Sequence, residues 1–188
     1  MDLVLFGIQG SGKGTQAKRL AADFGYEIFE AGGELRKIAA TGTELGETVK
    51  GYIDVGQLVP FTIIMEVLEN YVTKHDPTQK ILFDGIPRDS DQKQSFDTIM
   101  KKLGREFHCL HLQLDPEEGV RRILKRATIE GRADDASEET IRKRMRTFTE
   151  KTLPVIGGYE AMGKVATVTG TGTVEEIYEE IVSSLGLR

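Results

Sequence analysis

The sequence predicts an α/β fold in which a five-stranded parallel sheet carries helices on both faces. Short apolar runs, each long enough for one buried strand, alternate with longer stretches whose apolar residues recur at helical spacing. Strand signals lie at 3–6, 81–83, 107–114 and 165–168, with a weaker one at 26–29. This alternation favours parallel pairing, because each crossover helix returns the chain to the same end of the sheet. Ligands of such sheets bind at the carboxyl ends of the strands.

A glycine-rich stretch at 7–15 joins the first strand to the first helix and reads Gly-Ile-Gln-Gly-Ser-Gly-Lys-Gly-Thr. Glycines let successive backbone N–H groups turn inward around a polyphosphate, and the helix that follows adds its positive N-terminal end. Lysine supplies a cation for the β and γ phosphates, and a hydroxyl can reach Mg²⁺. A glycine turn without function is disfavoured by the complete pattern. We therefore predict a phosphate-binding loop formed by Gly10, Ser11, Gly12, Lys13, Gly14 and Thr15.

A second polar cluster follows the strand signal at 81–83. Asp84 comes directly after this strand, and Gly85 and Arg88 come next. Many strands end in aspartate, so this feature gains weight only from its pairing with the glycine-rich loop. Because parallel strands end at one edge of the sheet, we expect Asp84 to lie near that loop and to hold Mg²⁺ through water.

The helical segments are placed by apolar periodicity and by capping residues. Helices are expected at 34–40, 45–52 and 95–104, and one begins at Pro60. Asp115 caps another helix, and Ser137 begins a helix that should end within 152–156. Thr173 and Glu176 predict a capping box at the start of the final helix.

Composition and charge exclude several classes of protein. The chain has 188 residues and a formal net charge of -5, which argues against a protein that coats nucleic acid. No apolar run has the length of a signal peptide or membrane span, so we expect a cytoplasmic protein without a membrane partner. Cys109, the only cysteine, is expected to be a small buried apolar residue. His108 and His111 lack partners at metal spacing, so no zinc site is expected.

The motifs together resemble those of the nucleoside monophosphate kinases, and within them the adenylate kinase family with a short lid. The resemblance covers nearly the whole chain and is carried by the loop ending Gly-Lys-Gly-Thr-Gln, Gly32 with Arg36, Asp84-Gly-Ile-Pro-Arg88, Arg122 with Arg126, Arg132 and Arg144. It implies a P-loop three-layer sandwich with a core of 1–29, 60–126 and 137–188. It also implies a nucleoside-monophosphate-binding subdomain at 30–59 and a lid at 127–136. A monomer that reversibly transfers a phosphoryl group from Mg·ATP to AMP is the implied activity.

The resemblance also implies roles for individual residues. The implied catalytic cations are Lys13, Arg88, Arg122, Arg126, Arg132 and Arg144. The implied ATP site consists of the loop residues 10–15, Arg122, Arg126 and Gly172. The implied AMP site consists of Ala31, Gly32, Arg36, Gln57, Val59, Gly85, Arg88, Gln92, Arg132 and Arg144. Mg²⁺ is expected to bind through water near Thr15 and Asp84. Without the resemblance, Arg36 and Gln92 would be interpreted as ordinary surface residues.

Two departures from the family pattern bear on the acceptor. The family usually has Thr-Gly-Asp where this chain has Ala31-Gly32-Gly33. A capping aspartate stabilises a helix start by about 1 kcal/mol, and the sequence shows nothing that compensates for Gly33. Alanine at position 31 is common in UMP/CMP kinases, and the lost hydrogen bond would cost about 0.5–1.5 kcal/mol of AMP binding.

Three alternative functions remain open at this point. The first is a UMP or CMP kinase of the same family, and the second is a P-loop hydrolase or switch protein. A guanine-reading switch would need an Asn-Lys-x-Asp signal, which is absent because the only asparagine, Asn70, precedes Tyr71. The third is a binding module without catalysis, which the retained Lys13 and the series of arginines disfavour.

Overall fold

The computed structural model describes residues 1–54, 59–130 and 138–187, with the backbone alone at 126–130. Five parallel strands form one sheet in the order β2-β3-β1-β4-β5. The strands are β1 Asp2–Phe6, β2 Tyr26–Glu30, β3 Lys80–Asp84, β4 Phe107–Gln113 and β5 Val165–Thr169. The predicted α/β fold is thus confirmed, and each strand begins and ends within one residue of its predicted position.

Helices connect the strands and cover both faces of the sheet. Within the described ranges they are α1 Lys13–Phe24, α2 Ala31–Ala39, α3 Glu44–Asp54, α4 Phe61–Lys74, α5 Ser90–Lys102, α6 Pro116–Glu130, α7 Glu138–Thr147, α8 Leu153–Glu160 and α9 Val174–Ser184. A π-helical segment, Phe148–Thr152, joins α7 to α8. None of the helices in these ranges combines the length and apolar character that crossing a membrane requires.

Two helices begin earlier than apolar periodicity predicted. Helix α5 begins at Ser90 because Asp89 caps it, its carboxylate accepting a hydrogen bond from the Gln92 N–H at 2.9 Å. Helix α2 begins at Ala31, directly after β2. Periodicity reports only the apolar face of a helix, so polar first turns escape it. At the other end of the chain, the capping box of Thr173 with Glu176 is present as predicted.

Two other helices run past their expected ends. The predicted end at 152–156 is wrong, because helical structure passes through the π-helical segment into α8 and continues to Glu160. Pro154 lies in the first turn of α8, where the missing N–H removes no bond that this helix needs. Helix α6 extends to Glu130, through the first four residues of the stretch expected to form the lid, and 131–136 lie outside the described residues.

Alternate residues of the strands pack into two apolar layers. One layer joins Val4, Phe6 and Phe83 to helices α4, α5 and α8, and the other joins Leu3 and Leu5 to helices α1 and α9. Each such side chain contributes about 1.5–3 kcal/mol when fully buried. Cys109 lies in the first layer, where burial raises the pKa of its thiol to about 12, which confirms its prediction as a buried apolar residue.

Candidate active site

The glycine-rich loop has a backbone that only glycine adopts readily. Gly10 and Gly12 have φ values of 84° and 94°, in the left-handed region. A side chain at Gly10 would also collide with the Gly119 carbonyl oxygen, since its Cβ would lie 2.9 Å from that atom. The Ser11 N–H donates to the Ile8 carbonyl oxygen at 3.2 Å, which closes the turn. The sequence therefore forms the turn into α1 that the glycine pattern predicted.

Lys13 is folded back onto this loop. Its Nζ donates to the carbonyl oxygens of Gly7 at 2.6 Å and of Ile8 at 3.0 Å. Carbonyl oxygens carry no net charge, so these contacts orient the ammonium without neutralising it. Burial lowers the pKa of Lys13, and nearby Asp84 opposes this shift.

Asp84 lies at the carboxyl edge of β3, close to the charges of Lys13 and Arg88. Burial raises the pKa of the Asp84 carboxyl, and the two cations counteract part of that increase. Arg88 is exposed to solvent on one side, yet desolvation by the surrounding protein lowers its pKa. Asp84 opposes this change, and the neighbouring charge of Arg144 adds to it. Three cations therefore share this edge with the carboxylates of Asp84 and Glu30, and the excess of positive charge favours an anionic ligand.

Several contacts fix the position of Arg88. Its Nε donates to the Gly85 carbonyl oxygen at 2.7 Å, and its backbone N–H donates to Gln92 Oε1 at 2.9 Å. The Thr152 hydroxyl donates to the Arg88 carbonyl oxygen at 2.8 Å. Gln92 is only 9% exposed, so it is not an ordinary surface residue. Arg88 is thus held by Gly85 and Gln92, which lie three residues before it and four residues after it, and by Thr152 of the π-helical segment.

Two more arginines border the loop from helices α6 and α7. Arg122 donates from Nε to Glu118 at 2.8 Å and from Nη1 to the Gly170 carbonyl oxygen at 3.0 Å. Arg144 Nη1 donates to Gln9 Oε1 at 3.3 Å, which joins α7 to the glycine-rich loop. Gly172, with a φ of 138°, lies in the turn between β5 and α9.

The residues expected on the acceptor side lie mainly at the start of α2. Arg36 Nη2 contacts Glu30 Oε1 at 3.3 Å, and a Cβ at Gly32 would lie 3.2 Å from Arg36 Nη1. Ala31 and Val59 are both buried. Arg36 thus contacts Glu30, whereas Arg88 and Arg144 belong to the cluster around Asp84.

Comparison with known proteins identifies the family of this chain. The family model described as adenylate kinase matches residues 5–164. The chain belongs to the adenylate kinase family. An adenylate kinase of Thermus thermophilus is 40% identical over 186 residues, which cover 98% of this chain and 97% of that protein. Adenylate kinases of Phocaeicola vulgatus and Maricaulis maris are 38% and 39% identical, each with 98% of both chains covered.

Some of the predicted site residues lie outside what the structure describes. Gln57 and Arg132 lie in ranges that are not described, and at Arg126 only the backbone is described. Their roles stay predictions that rest on the family resemblance.

The residues near Asp84 suit a magnesium ion that arrives with a nucleotide. Within the described ranges, no group of three or more His, Cys, Asp or Glu side chains could hold a metal ion. Mg²⁺ commonly binds proteins through one or two carboxylates, keeps several waters and takes its other ligands from substrate phosphates. Asp84 supplies one carboxylate, and the exposed Thr15 in the first turn of α1 supplies a hydroxyl.

Sequence reasoning missed Gln9, Thr152 and Glu30. Gln9 lies within the glycine-rich loop, so its position was a usable signal. Thr152 and Arg88 are 64 residues apart, and nothing local in the sequence indicates that they meet. Glu30 lies at the carboxyl end of β2, beside Asp84 in the sheet register, where strand-end reasoning could have found it.

Proposed function

We propose that the chain catalyses the reversible transfer of the γ-phosphoryl group of Mg·ATP to AMP, giving two ADP. The observation that carries this proposal is the cluster of Lys13, Arg88 and Arg144 around Asp84, beside the glycine-rich loop, in a chain of the adenylate kinase family. Cations from the loop, from the residues after β3 and from α7 approach one edge of the sheet. A nucleoside triphosphate and a nucleoside monophosphate that meet there both need cations at such an edge.

The donor nucleotide is proposed to bind the loop. Backbone N–H groups of 10–15 and the N-terminal end of α1 would hold the β and γ phosphates, with Lys13 as the mobile cation. Arg122 donates to the Gly170 carbonyl oxygen, which places it beside the proposed nucleotide site. Arg126 and Gly172 are proposed to contact the same nucleotide. Mg²⁺, held through water near Thr15 and Asp84, would neutralise charge on the phosphate oxygens.

The acceptor nucleotide is proposed to bind between α2 and the residues after β3. Arg36 and Arg88 would bind its phosphate, and the base would lie near Gln92. The remaining proposed contacts are Ala31, Gly32, Gln57, Val59, Gly85, Arg132 and Arg144. No general base is needed, because the attacking atom is already a phosphate oxygen. Catalysis then consists of alignment and of charge stabilisation by the arginines.

Closure of the site is part of the proposal. Water competes with AMP for the phosphoryl group, so transfer requires a site from which water is excluded. We propose that residues 30–59 form an acceptor-binding subdomain and that 127–136 form a lid, each moving against the core. The protein is proposed to act as a cytoplasmic monomer, and the free thiol of Cys109 suits a reducing compartment.

One assay tests the proposed function against its alternatives. Mg·ATP is supplied with AMP, UMP, CMP or GMP, and the diphosphate products are quantified. ADP formed from AMP, at the highest rate of the four acceptors, is the expected result. A preference for UMP or CMP would support the second candidate, for which Ala31 is the specific observation. Phosphate release without transfer would indicate a hydrolase.

A further inference from the structure

Glu30 places an unassigned negative charge beside the proposed acceptor site. It is the last residue of β2 and lies opposite Asp84 of β3 in the sheet register. Its Oε1 contacts Arg36 Nη2 at 3.3 Å, and both side chains are more than half exposed, at 57% and 65%. The charge of Glu30 also acts on both Asp84 and Arg88. Glu30 therefore faces both arginines that are proposed to bind the acceptor's phosphate.

Gly33 is coupled to the position of Glu30. A Cβ at Gly33 would lie 2.9 Å from Glu30 Oε2, so a side chain there would displace the carboxylate. Glu30 is also the residue that precedes the first turn of α2, where a negative charge interacts favourably with the helix end. An aspartate at position 33 would bring a second carboxylate against Glu30. The Glu30 side chain makes no capping hydrogen bond to α2, so it can offset the loss at Gly33 through its charge near the helix end.

We infer that Glu30 sets the affinity for the acceptor nucleotide by competing with its phosphate for Arg36. This inference rests on the proposed function. The phosphate must displace Glu30 from Arg36 and then bind close to a like charge. Exposed ion pairs are weak, so we expect the competition to lower AMP affinity by about 2- to 5-fold. Among the described residues, Glu30 forms no hydrogen bond or ion pair with the glycine-rich loop. We therefore expect ATP binding to be unaffected.

The test compares Glu30→Gln with Glu27→Gln. Both variants remove one exposed carboxylate from β2, but Glu27 lies toward the opposite end of the strand. Steady-state kinetics give KM for AMP, KM for ATP and kcat, and calorimetry gives the Kd of AMP without ATP. We expect Glu30→Gln to lower both AMP constants by about 2- to 5-fold, with the KM for ATP and kcat changed by less than about twofold. Glu27→Gln should match the wild type.

A second comparison tests the coupling to Gly33. The change in melting temperature caused by Gly33→Asp should be less favourable in the wild type than in Glu30→Gln, by about 1–3 °C, because the two exposed carboxylates repel each other weakly. Melting temperatures also show whether each variant is folded.

The possible outcomes are distinct. AMP constants that are unchanged in folded Glu30→Gln would overturn the inference, and higher constants would make Glu30 a ligand of the acceptor instead of its competitor. If the wild type neither binds AMP nor forms ADP from ATP and AMP, the proposed function itself fails. If the wild type is active and the variant behaves identically, only the inference fails.

Discussion

The ammonium of Lys13 donates to the Gly7 carbonyl oxygen at 2.6 Å, so the cation is positioned before any anion binds. Its second contact, to the Ile8 carbonyl oxygen, is also to a neutral group. A phosphate oxygen would offer a charge-assisted hydrogen bond, which is roughly twice as strong as a neutral one. The loop therefore holds its cation in contacts that a polyphosphate can replace.

Replacing Lys13 with methionine should remove activity and leave the fold intact. We expect kcat to fall by about 10²–10³, the size of effect seen when one preorganised charge-stabilising group is lost. The melting temperature should change little, because the desolvation of the partly buried ammonium opposes its favourable interaction with Asp84. Lys18→Met, on the exposed face of the same helix, is the control. Turnover of Lys13→Met near that of the control would contradict the role of Lys13.

Arg88 is expected to contribute more to catalysis than an arginine outside the cluster around Asp84. Arg88→Ala should reduce kcat by about 10³ or more, since an arginine that acts on the transferring phosphoryl group contributes about 10³–10⁵ in rate. Arg121→Ala, which removes an exposed guanidinium paired with Glu118, should change kcat by less than twofold. The measurement is ADP formation at saturating AMP and Mg·ATP. Equal losses in the two variants would show that Arg88 has no special role.

Thr152 is predicted to position Arg88 without touching substrate. Thr152→Val removes the hydroxyl that donates to the Arg88 carbonyl oxygen. We expect kcat to fall by about 3- to 10-fold and the free energy of unfolding by about 1–2 kcal/mol, as for one lost buried hydrogen bond. Thr152→Ser, which keeps the hydroxyl, should restore kcat. If the serine and valine variants have the same kcat, the contact does not position Arg88.

The sequence predicted the meeting of Lys13 and Asp84 but not that of Gln9 and Arg144. The first follows from a general rule, since parallel strands bring their carboxyl ends to one edge. The second joins side chains 135 residues apart, and it depends on how α7 packs against the loop. The missed helical continuation beyond Thr152 has a similar origin. Pro154 is a usual sign of a helix end, but here the chain enters a new first turn through a π-helical segment.

A buried ion pair at the opposite end of the sheet should affect stability alone. Arg105 donates from Nε and Nη2 to the two carboxylate oxygens of Asp2, and Asp2 Oδ1 also accepts from the Ile81 N–H. Removing one partner of a buried pair costs about 3–5 kcal/mol, because the other charge is left unpaired. Arg105→Met should therefore lower the melting temperature by about 10 °C. Below the transition, kcat should match the wild type, and a large loss of kcat would contradict this separation.

Closure of residues 30–59 over the acceptor can be measured with two fluorescent labels. Cysteines introduced at Lys50 on α3 and Glu179 on α9, both exposed, can be labelled selectively because burial raises the pKa of the Cys109 thiol to about 12. We expect energy transfer to increase when AMP and a non-hydrolysable ATP analogue are both present, since binding closes the site against water. A second pair on α5 and α9, at Thr98 and Glu179, controls for effects of the nucleotides on the dyes, because both helices pack on the core sheet. An increase confined to the first pair would support closure, and no change in it with both nucleotides bound would contradict the proposed movement.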